Sequence, residues 1–156
     1  PVGSDFLEKT SGPVTDDAGG DFIAKGAEIL TVDDTSMNLK LVSLLLKRVG
    51  ITPDLCGSGA EAVKMCCDKH YDLILLDHMM PGMDGIETLK MIRETEGSQN
   101  TDTLAVVLTA NAVAGSRDLY IEAGFVDYLT KPIDSALLEQ TVKKYLPKEK
   151  IIEGRK

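Results

Sequence analysis

The sequence predicts an α/β fold in which a doubly wound, five-stranded parallel sheet is covered by five helices. From Ala27 onward, five short apolar runs alternate with five stretches in which apolar residues recur at helical spacing. This alternation is typical of strand–helix–strand units, and right-handed crossovers between their parallel strands leave few ways to wind the chain. Four of the runs also end in polar side chains, as the strands of such a sheet do at a functional crevice.

Each apolar run is a candidate strand with a defined end. The four runs that end in polar residues are 29–32, followed by Asp33 and Asp34; 73–76, followed by Asp77; 104–108, followed by Thr109; and 125–130, followed by Lys131 and Pro132. The remaining run, 51–56, contains Pro53. Proline has no backbone N–H, so this run cannot form complete hydrogen-bond ladders with a neighbouring strand on each side. We therefore expect this strand to lie at an edge of the sheet.

Helix boundaries are indicated by residues that favour caps and stops. A Ser or Asp followed three residues later by Glu is the capping-box pattern, and Gly or Pro commonly ends a helix. The predicted signals, in chain order, are Ser36 and Gly50 for the first helix, Ser58 with Glu61 for the second, Asp84 with Glu87 for the third, Gly124 after the fourth at 112–123, and Pro147 after the fifth at 134–146.

Length and composition predict one domain, because 156 residues with 43% hydrophobic content can bury one core of ordinary size. We place this domain at 27–147, after a flexible linker or N-terminal extension at 1–26 and before a C-terminal tail at 148–156. The extension contains glycines and acidic residues without sustained apolar periodicity. The closing Ile-Glu-Gly-Arg at 152–155 resembles a protease-cleavage sequence used in recombinant proteins, or it is native tail.

Charge and cysteine content limit the class of partner and the compartment. The net charge of −8 argues against direct nucleic-acid binding, which favours a basic surface. Three cysteines, Cys56, Cys66 and Cys67, show no disulfide framework, so we expect packing roles in a reducing compartment. No apolar stretch approaches the roughly 20 residues needed to cross a bilayer. We therefore expect no membrane contact by this segment and a cytoplasmic location.

The polar strand ends predict a site for phosphoryl transfer. The carboxyl ends of parallel strands meet at one edge of a sheet, so Asp33, Asp34 and Asp77 should lie near Thr109 and Lys131. Three adjacent carboxylates repel each other unless they are protonated, paired or neutralised by a cation. Mg²⁺ prefers oxygen ligands and commonly joins carboxylates to a phosphate. Asp77 is the predicted nucleophile and phosphoryl acceptor.

These motifs together resemble the receiver domain of two-component response regulators over about residues 27–146. The resemblance rests on the Asp33-Asp34 pair, on Asp77 with the Met-Pro-Gly-Met-Asp-Gly sequence at 80–85, on 109–111 (Thr-Ala-Asn), and on Lys131-Pro132. It implies a flavodoxin-like fold with strand order 2-1-3-4-5. It also implies a phosphorelay switch, not an enzyme, and is strongest for receivers of hybrid histidine kinases. The implied partners are a histidine kinase or histidine phosphotransfer protein as donor, and a downstream protein.

The resemblance assigns a role to each metal-site residue. Asp34 and Asp77 bind Mg²⁺ directly, Asp33 binds it through water, and the backbone carbonyl of Met79 completes the protein ligands. The simpler interpretation of Asp33 and Asp34 is helix capping, which explains one acid better than two. For Asp77 it is ordinary turn chemistry.

The resemblance also assigns switch residues. Thr109 supplies a hydroxyl to the new phosphoryl group, and Tyr128 is the aromatic switch residue, although a half-buried strand aromatic explains Tyr128 nearly as well. Lys131 contacts a phosphoryl oxygen, and the peptide bond before Pro132 is expected to be cis. The simpler interpretation of Lys131 is a solvated surface lysine.

His78 follows the predicted nucleophile directly, but successive strand residues face opposite sides of a sheet, so we expect its ring to leave the site. Two other functions are compatible with the residues. A Mg²⁺-dependent phosphatase with an aspartyl-phosphate intermediate would use similar groups, although its first strand should carry Asp-x-Asp instead of the adjacent Asp33 and Asp34. The other is a docking module that is never phosphorylated.

Overall fold

The computed structural model describes residues 22–24, 26–110 and 116–153. Its central sheet has five strands, which we number β1 Ile29–Val32, β2 Asp54–Cys56, β3 Leu73–Asp77, β4 Leu104–Thr109 and β5 Asp127–Thr130. The order across the sheet is β2-β1-β3-β4-β5, and every neighbouring pair is parallel. The predicted order is therefore confirmed. β2, which Pro53 precedes, lies at an edge as expected.

Five α-helices cover the sheet within the described residues: α1 Ser36–Lys47, α2 Gly59–Asp68, α3 Gly85–Glu94, α4 Ser116–Ala123 and α5 Ser135–Tyr145, followed by a 3₁₀ turn at Lys148–Lys150. Residues of α1 and α5 pack on one face of the sheet, and residues of α2, α3 and α4 pack on the other. Both faces are thus covered, which confirms the doubly wound, flavodoxin-like class. No helix in these ranges is long and apolar enough to span a membrane.

The two faces can be followed residue by residue along β3. Leu73 and Leu75 belong to the cluster beneath α1 and α5, whereas Ile74 and Leu76 belong to the cluster beneath α2, α3 and α4. All four side chains are fully buried. The alternation follows from the two-residue period of a strand, and it decides on which side each strand-end residue emerges.

The start of α1 corrects one predicted cap. Ser36 is the first residue of the helix, and its N-cap is Thr35, whose side chain makes no capping hydrogen bond. Instead, Oδ1 of Asp33 accepts a hydrogen bond from the Thr35 N–H at 2.9 Å. The prediction that Ser36 caps α1 is therefore wrong: the N-cap position is Thr35, and the Asp33 carboxylate binds the backbone N–H of that residue.

The next two helices use the predicted capping residues, but only α3 has a complete capping box. Oγ of Ser58 accepts from the Glu61 N–H at 3.2 Å, while the Glu61 carboxylate accepts from the Gly57 N–H at 3.1 Å instead of that of Ser58. At α3, Asp84 and Glu87 exchange both hydrogen bonds. The loop that carries the residues after Asp77 is thus joined firmly to α3.

One short strand precedes the predicted domain at 27–147, and another follows it. Phe22–Ile23 pairs antiparallel with Ile152–Glu153, and the Ala24 N–H donates to the Val49 carbonyl at 2.8 Å. The boundaries at 26 and 147 remain predictions. The structure does not describe residues 1–21, 25, 111–115 and 154–156. Several predicted features therefore lie outside the described residues: most of the linker, Asn111, the start of the fourth helix at 112 and the end of the Ile-Glu-Gly-Arg sequence.

The cysteines pack as small apolar groups. Cys56 and Cys66 are buried, Cys67 is partly buried, and all three are free thiols. Burial raises the pKa of Cys56 to about 11 and that of Cys66 to about 12. These two thiols are therefore protonated at neutral pH and unreactive.

Thr31→Val is expected to stabilise the protein by about 1 kcal/mol, because an isosteric side chain replaces a buried hydroxyl that has no hydrogen-bond partner among the described residues. Thr31 is fully buried in β1, and its Oγ1 makes no hydrogen bond within the described residues. Thr88→Val is the matched control, since the Thr88 hydroxyl is equally buried but donates to the Asp84 carbonyl at 2.7 Å. Denaturant unfolding should show a gain for Thr31→Val and a loss for Thr88→Val. A loss for both would mean that the Thr31 hydroxyl has a partner.

Candidate functional site

Three carboxylates meet at the carboxyl edge of the sheet, as the sequence predicts. Asp33 and Asp34 follow β1, Asp77 closes the neighbouring β3, and one oxygen from each lies within 4.8 Å of the others. Asp33 and Asp77 are buried, with 1% and 3% of their surfaces exposed, whereas Asp34 is exposed. The cluster is therefore desolvated on the protein side and open to solvent on the other.

Lys131, directly after β5, is the positive charge of the cluster. Its Nζ donates to Oδ1 of Asp77 at 2.8 Å and lies 3.2 Å from Oδ2 of Asp33. The second contact is an ion pair without an aligned hydrogen bond, so Asp33 Oδ2 has no hydrogen-bond partner among the described residues. The Lys131–Pro132 peptide bond is cis, as expected. Lys131 thus lies within the acid cluster and is not a solvated surface lysine.

The site holds more negative charge than the lysine neutralises. Burial raises the pKa of Asp77 to about 6; the hydrogen bond from Lys131 opposes this rise, and the charge of Asp33 adds to it. Burial acts to lower the pKa of Lys131, but the hydrogen bond to Asp77 and the charge of Asp33 outweigh it and raise that pKa. Three carboxylates therefore face one ammonium group. Hard oxygen donors, excess negative charge and a buried Asp33 oxygen that has an ion pair but no hydrogen bond among the described residues all fit a divalent cation such as Mg²⁺.

The loop after Asp77 is closed against the start of α3. The His78 N–H donates to the Leu108 carbonyl at 2.9 Å, and the Gly85 N–H donates to the His78 carbonyl at 2.8 Å. A Cβ at position 85 would collide with the carbonyl oxygen of Asp77, so only glycine permits this approach. The Met79 side chain, 70% exposed, lies in this loop. Its carbonyl as a metal ligand remains a prediction.

Gly85→Ala is expected to lower the free energy of unfolding by about 1–3 kcal/mol, because the added methyl group must displace the Asp77 backbone. It should also weaken Mg²⁺ binding, since the same displacement moves a carboxylate of the cluster. Gly57→Ala is the control: a Cβ there meets only the Asp33 carbonyl oxygen, at an ordinary 3.9 Å. Denaturant unfolding and Mg²⁺ titration should both separate the two variants. Equal effects would remove the steric role assigned to Gly85.

Thr109 is engaged in a buried hydrogen-bonded chain. Its Oγ1 accepts a hydrogen bond from the Tyr120 hydroxyl at 3.1 Å, and the Tyr120 oxygen lies 2.9 Å from Nδ1 of His78. The His78 ring meets the Tyr120 ring edge-on, with centroids 5.2 Å apart. His78 therefore faces α4, away from the acid cluster, as strand alternation predicts. Tyr120 has no motif that marks it in the sequence, where it belongs to the apolar pattern of α4.

Tyr128 lies beside this hydrogen-bonded chain. It is half-buried on β5, and its ring centroid is 6.3 Å from that of Tyr120. The structure thus brings together four of the predicted side chains, those of Asp33, Asp34, Asp77 and Lys131. Thr109 and Tyr128 form a second group, joined through Tyr120.

Known proteins resemble this chain in sequence and in fold. Residues 29–143 match the response regulator receiver domain family. The signal transduction histidine-protein kinase BarA of Escherichia coli K12 is 38% identical over 135 residues, which are 86% of this chain but only 14% of that kinase.

The solved structures with the same fold include the following two receivers. The receiver domain of sensor histidine kinase PA1611 from Pseudomonas aeruginosa PAO1, with a magnesium ion in its active site cleft, matches at 32% identity and a TM-score of 0.67, over 76% of this chain and 96% of that one. The co-crystal structure of the Saccharomyces cerevisiae histidine phosphotransfer protein Ypd1 with the receiver domain of its response regulator Ssk1 matches at 27% identity and a TM-score of 0.72, over 80% and 91%. With the acid cluster and its lysine in place, this chain belongs to the response regulator receiver domain family.

Proposed function

We propose that this receiver domain accepts a phosphoryl group on Asp77 from a phosphohistidine donor, in a Mg²⁺-dependent reaction, and thereby switches a surface that a partner protein binds. One observation carries the proposal. Asp77 is a buried carboxylate at the end of β3, held by a 2.8 Å hydrogen bond from Lys131 inside a cluster of three acids. An ordinary turn aspartate does not combine burial, excess negative charge and a dedicated cation.

The chemistry follows from the state of the Asp77 carboxylate. Lys131 holds one carboxylate oxygen and so orients the group toward the open side of the cluster. An Asp77 oxygen attacks phosphorus as the P–N bond to the donor imidazole breaks, with its electron pair remaining on nitrogen. A pKa of about 6 keeps Asp77 largely ionised at neutral pH, and more basic than a surface aspartate. The Lys131 ammonium can then contact the transferred group.

Asp34, Asp77 and the Met79 carbonyl would hold the Mg²⁺ directly, and Asp33 would hold it through water. Bound Mg²⁺ supplies positive charge that offsets both the carboxylates and the oxygens of the transferring phosphoryl group. Two features support this assignment: Oδ2 of Asp33 accepts no hydrogen bond among the described residues, and Asp34 is exposed. The magnesium ion in the active site cleft of the PA1611 receiver agrees with it.

The setting we propose is a phosphorelay. The match to BarA favours a receiver within a longer hybrid histidine kinase, and the match to the Ypd1–Ssk1 structure favours a histidine phosphotransfer protein as one direct partner. The domain then acts as a switch: the phosphoryl group recruits the Thr109 hydroxyl, Tyr128 turns inward, and the surface of α4, β5 and α5 changes for a downstream protein. Nucleic acid is not a proposed partner of this acidic chain.

Phosphoryl transfer from a defined donor tests the function directly. The chain is incubated with a phosphorylated histidine phosphotransfer protein, with Mg²⁺ or with a chelator, and its intact mass is followed. We expect a gain of one phosphoryl group that requires Mg²⁺ and is lost in alkali, and no turnover of p-nitrophenyl phosphate. Sustained turnover of p-nitrophenyl phosphate would favour the phosphatase alternative. Failure to gain the group from any donor of a histidine-kinase panel would favour the docking module.

A further inference from the structure

Strand alternation places the Thr109 side chain on the face of the sheet opposite Asp77. Asp77 and Leu108 are paired residues of β3 and β4 and therefore emerge on the same face, and Leu108 belongs to the cluster beneath α1 and α5. Thr109, one residue further, emerges on the face of Val107, beneath α2, α3 and α4. A phosphoryl group on Asp77 therefore has to draw the Thr109 hydroxyl away from this face.

The Thr109 hydroxyl already has a partner there. It accepts a hydrogen bond from Tyr120, and both residues are 2% exposed. The Tyr120 ring is held edge-on between His78 and Phe125, with centroid distances of 5.2 and 6.2 Å. Packing on both sides thus keeps the Tyr120 hydroxyl at Thr109 and lets it move little by itself.

We propose that Tyr120 is a positioning residue that retains the Thr109 hydroxyl in the unphosphorylated arrangement, so that the switch requires its hydrogen bond to break. The inference rests on the proposed phosphoryl acceptance at Asp77. His78 lowers the free-energy cost of breaking this hydrogen bond. Its Nδ1 lies 2.9 Å from the Tyr120 oxygen, so the Tyr120 hydroxyl keeps one partner after the Thr109 hydroxyl moves away. A buried hydroxyl with no partner at all would oppose the change more strongly.

Substitutions of Tyr120 and His78 should have opposite effects on the affinity for a ligand that mimics the phosphoryl group. A ligand that needs the rearranged Thr109 binds more weakly in proportion to the cost of reaching that arrangement. Tyr120→Phe keeps the ring and removes the restraint, so it should lower the dissociation constant. Among the described residues, His78→Leu leaves Thr109 as the sole partner of the Tyr120 hydroxyl, so this variant should raise the dissociation constant.

The test uses beryllofluoride, a phosphoryl mimic, with Mg²⁺. Because the chain has no tryptophan to report binding, the titration is followed by fluorine NMR. Relative to the parent, Tyr120→Phe should bind roughly 2- to 12-fold more tightly, which is the range that one neutral hydrogen bond represents in an equilibrium constant. Thermal unfolding of each variant verifies folding, and His78→Leu carries the test if Tyr120→Phe does not fold.

A double-mutant cycle separates positioning from packing. In a Thr109→Ala background the hydroxyl that Tyr120 binds is absent. Tyr120→Phe should therefore leave beryllofluoride affinity unchanged in that background. An equal gain in both backgrounds, or weaker binding by Tyr120→Phe in the parent background, would overturn the inference. If the parent itself does not bind beryllofluoride, the proposed function fails first. Binding by the parent with no effect of Tyr120→Phe or His78→Leu refutes the positioning role alone.

Discussion

Asp77→Asn is expected to abolish phosphoryl transfer to the chain, because the amide keeps the shape of the side chain and removes the nucleophilic anion. We do not expect either neighbouring acid to replace it, because Asp33 and Asp34 follow β1, and the Asp77 carboxylate is the one that accepts the 2.8 Å hydrogen bond from Lys131. With a phosphorylated histidine phosphotransfer protein and Mg²⁺, intact-mass analysis should show no gain. Asp68→Asn, at the exposed end of α2, is the matched control and should be phosphorylated like the parent.

The same substitution should stabilise the Mg²⁺-free protein in a pH-dependent way. The folded protein raises the pKa of Asp77 from 3.8 to about 6, so it binds a proton more tightly than the unfolded chain does. This contribution to stability is complete below about pH 4 and is lost as the pH rises through about 6. The stability of Asp77→Asn relative to the parent should therefore increase over this range, by on the order of 2–3 kcal/mol.

Denaturant unfolding without Mg²⁺, at about pH 4.5 and about pH 7.5, measures this difference. The parent should lose stability relative to Asp77→Asn between the two values, while Asp68→Asn should follow the parent. A constant difference between Asp77→Asn and the parent would mean that Asp77 does not titrate abnormally. A phosphoryl group gained by Asp77→Asn would place the acceptor elsewhere.

Asp34→Ala is expected to weaken Mg²⁺ binding at least about tenfold, because the cluster offers few protein ligands and this variant removes one of them. In the parent, Mg²⁺ at about ten times its dissociation constant should raise the free energy of unfolding by about 1.4 kcal/mol. At the same concentration Asp34→Ala should gain little. The gain is read from the melting temperature with and without Mg²⁺.

Two controls make the Mg²⁺ result specific. Asp68→Ala removes the same charge from an exposed residue on α2, so it should retain the parent's gain. Ca²⁺ in place of Mg²⁺ tests whether the cluster simply attracts any divalent charge. If Asp34→Ala and the parent respond equally to Mg²⁺, Asp34 is not a ligand, and the site would have to use Asp33 and Asp77 alone.

The fold class and most of the acid cluster could be predicted from local patterns along the chain. Alternating apolar runs and helical periodicities required strand–helix units, and Pro53 identified the edge strand. Because parallel strands end at one edge, Asp77 and Lys131 had to meet although they are 54 residues apart in the chain. The strand order came from the resemblance to receivers. The direction of His78 followed from the period of a strand, which is a local property.

The side chains that complete the site could not be predicted in this way, because they depend on how distant elements pack together. The bond from Tyr120 to Thr109 depends on the rotation and height of α4 over the sheet, which no local pattern specifies. The start of α1 also differs from the local pattern: the Asp33 carboxylate accepts the hydrogen bond from the Thr35 N–H, and Ser36 is the first residue of the helix. The pairing of Phe22–Ile23 with Ile152–Glu153 joins segments from opposite ends of the chain. Contacts of this kind come from packing between distant elements, whereas strand ends and their polar residues follow from periodicity along the chain.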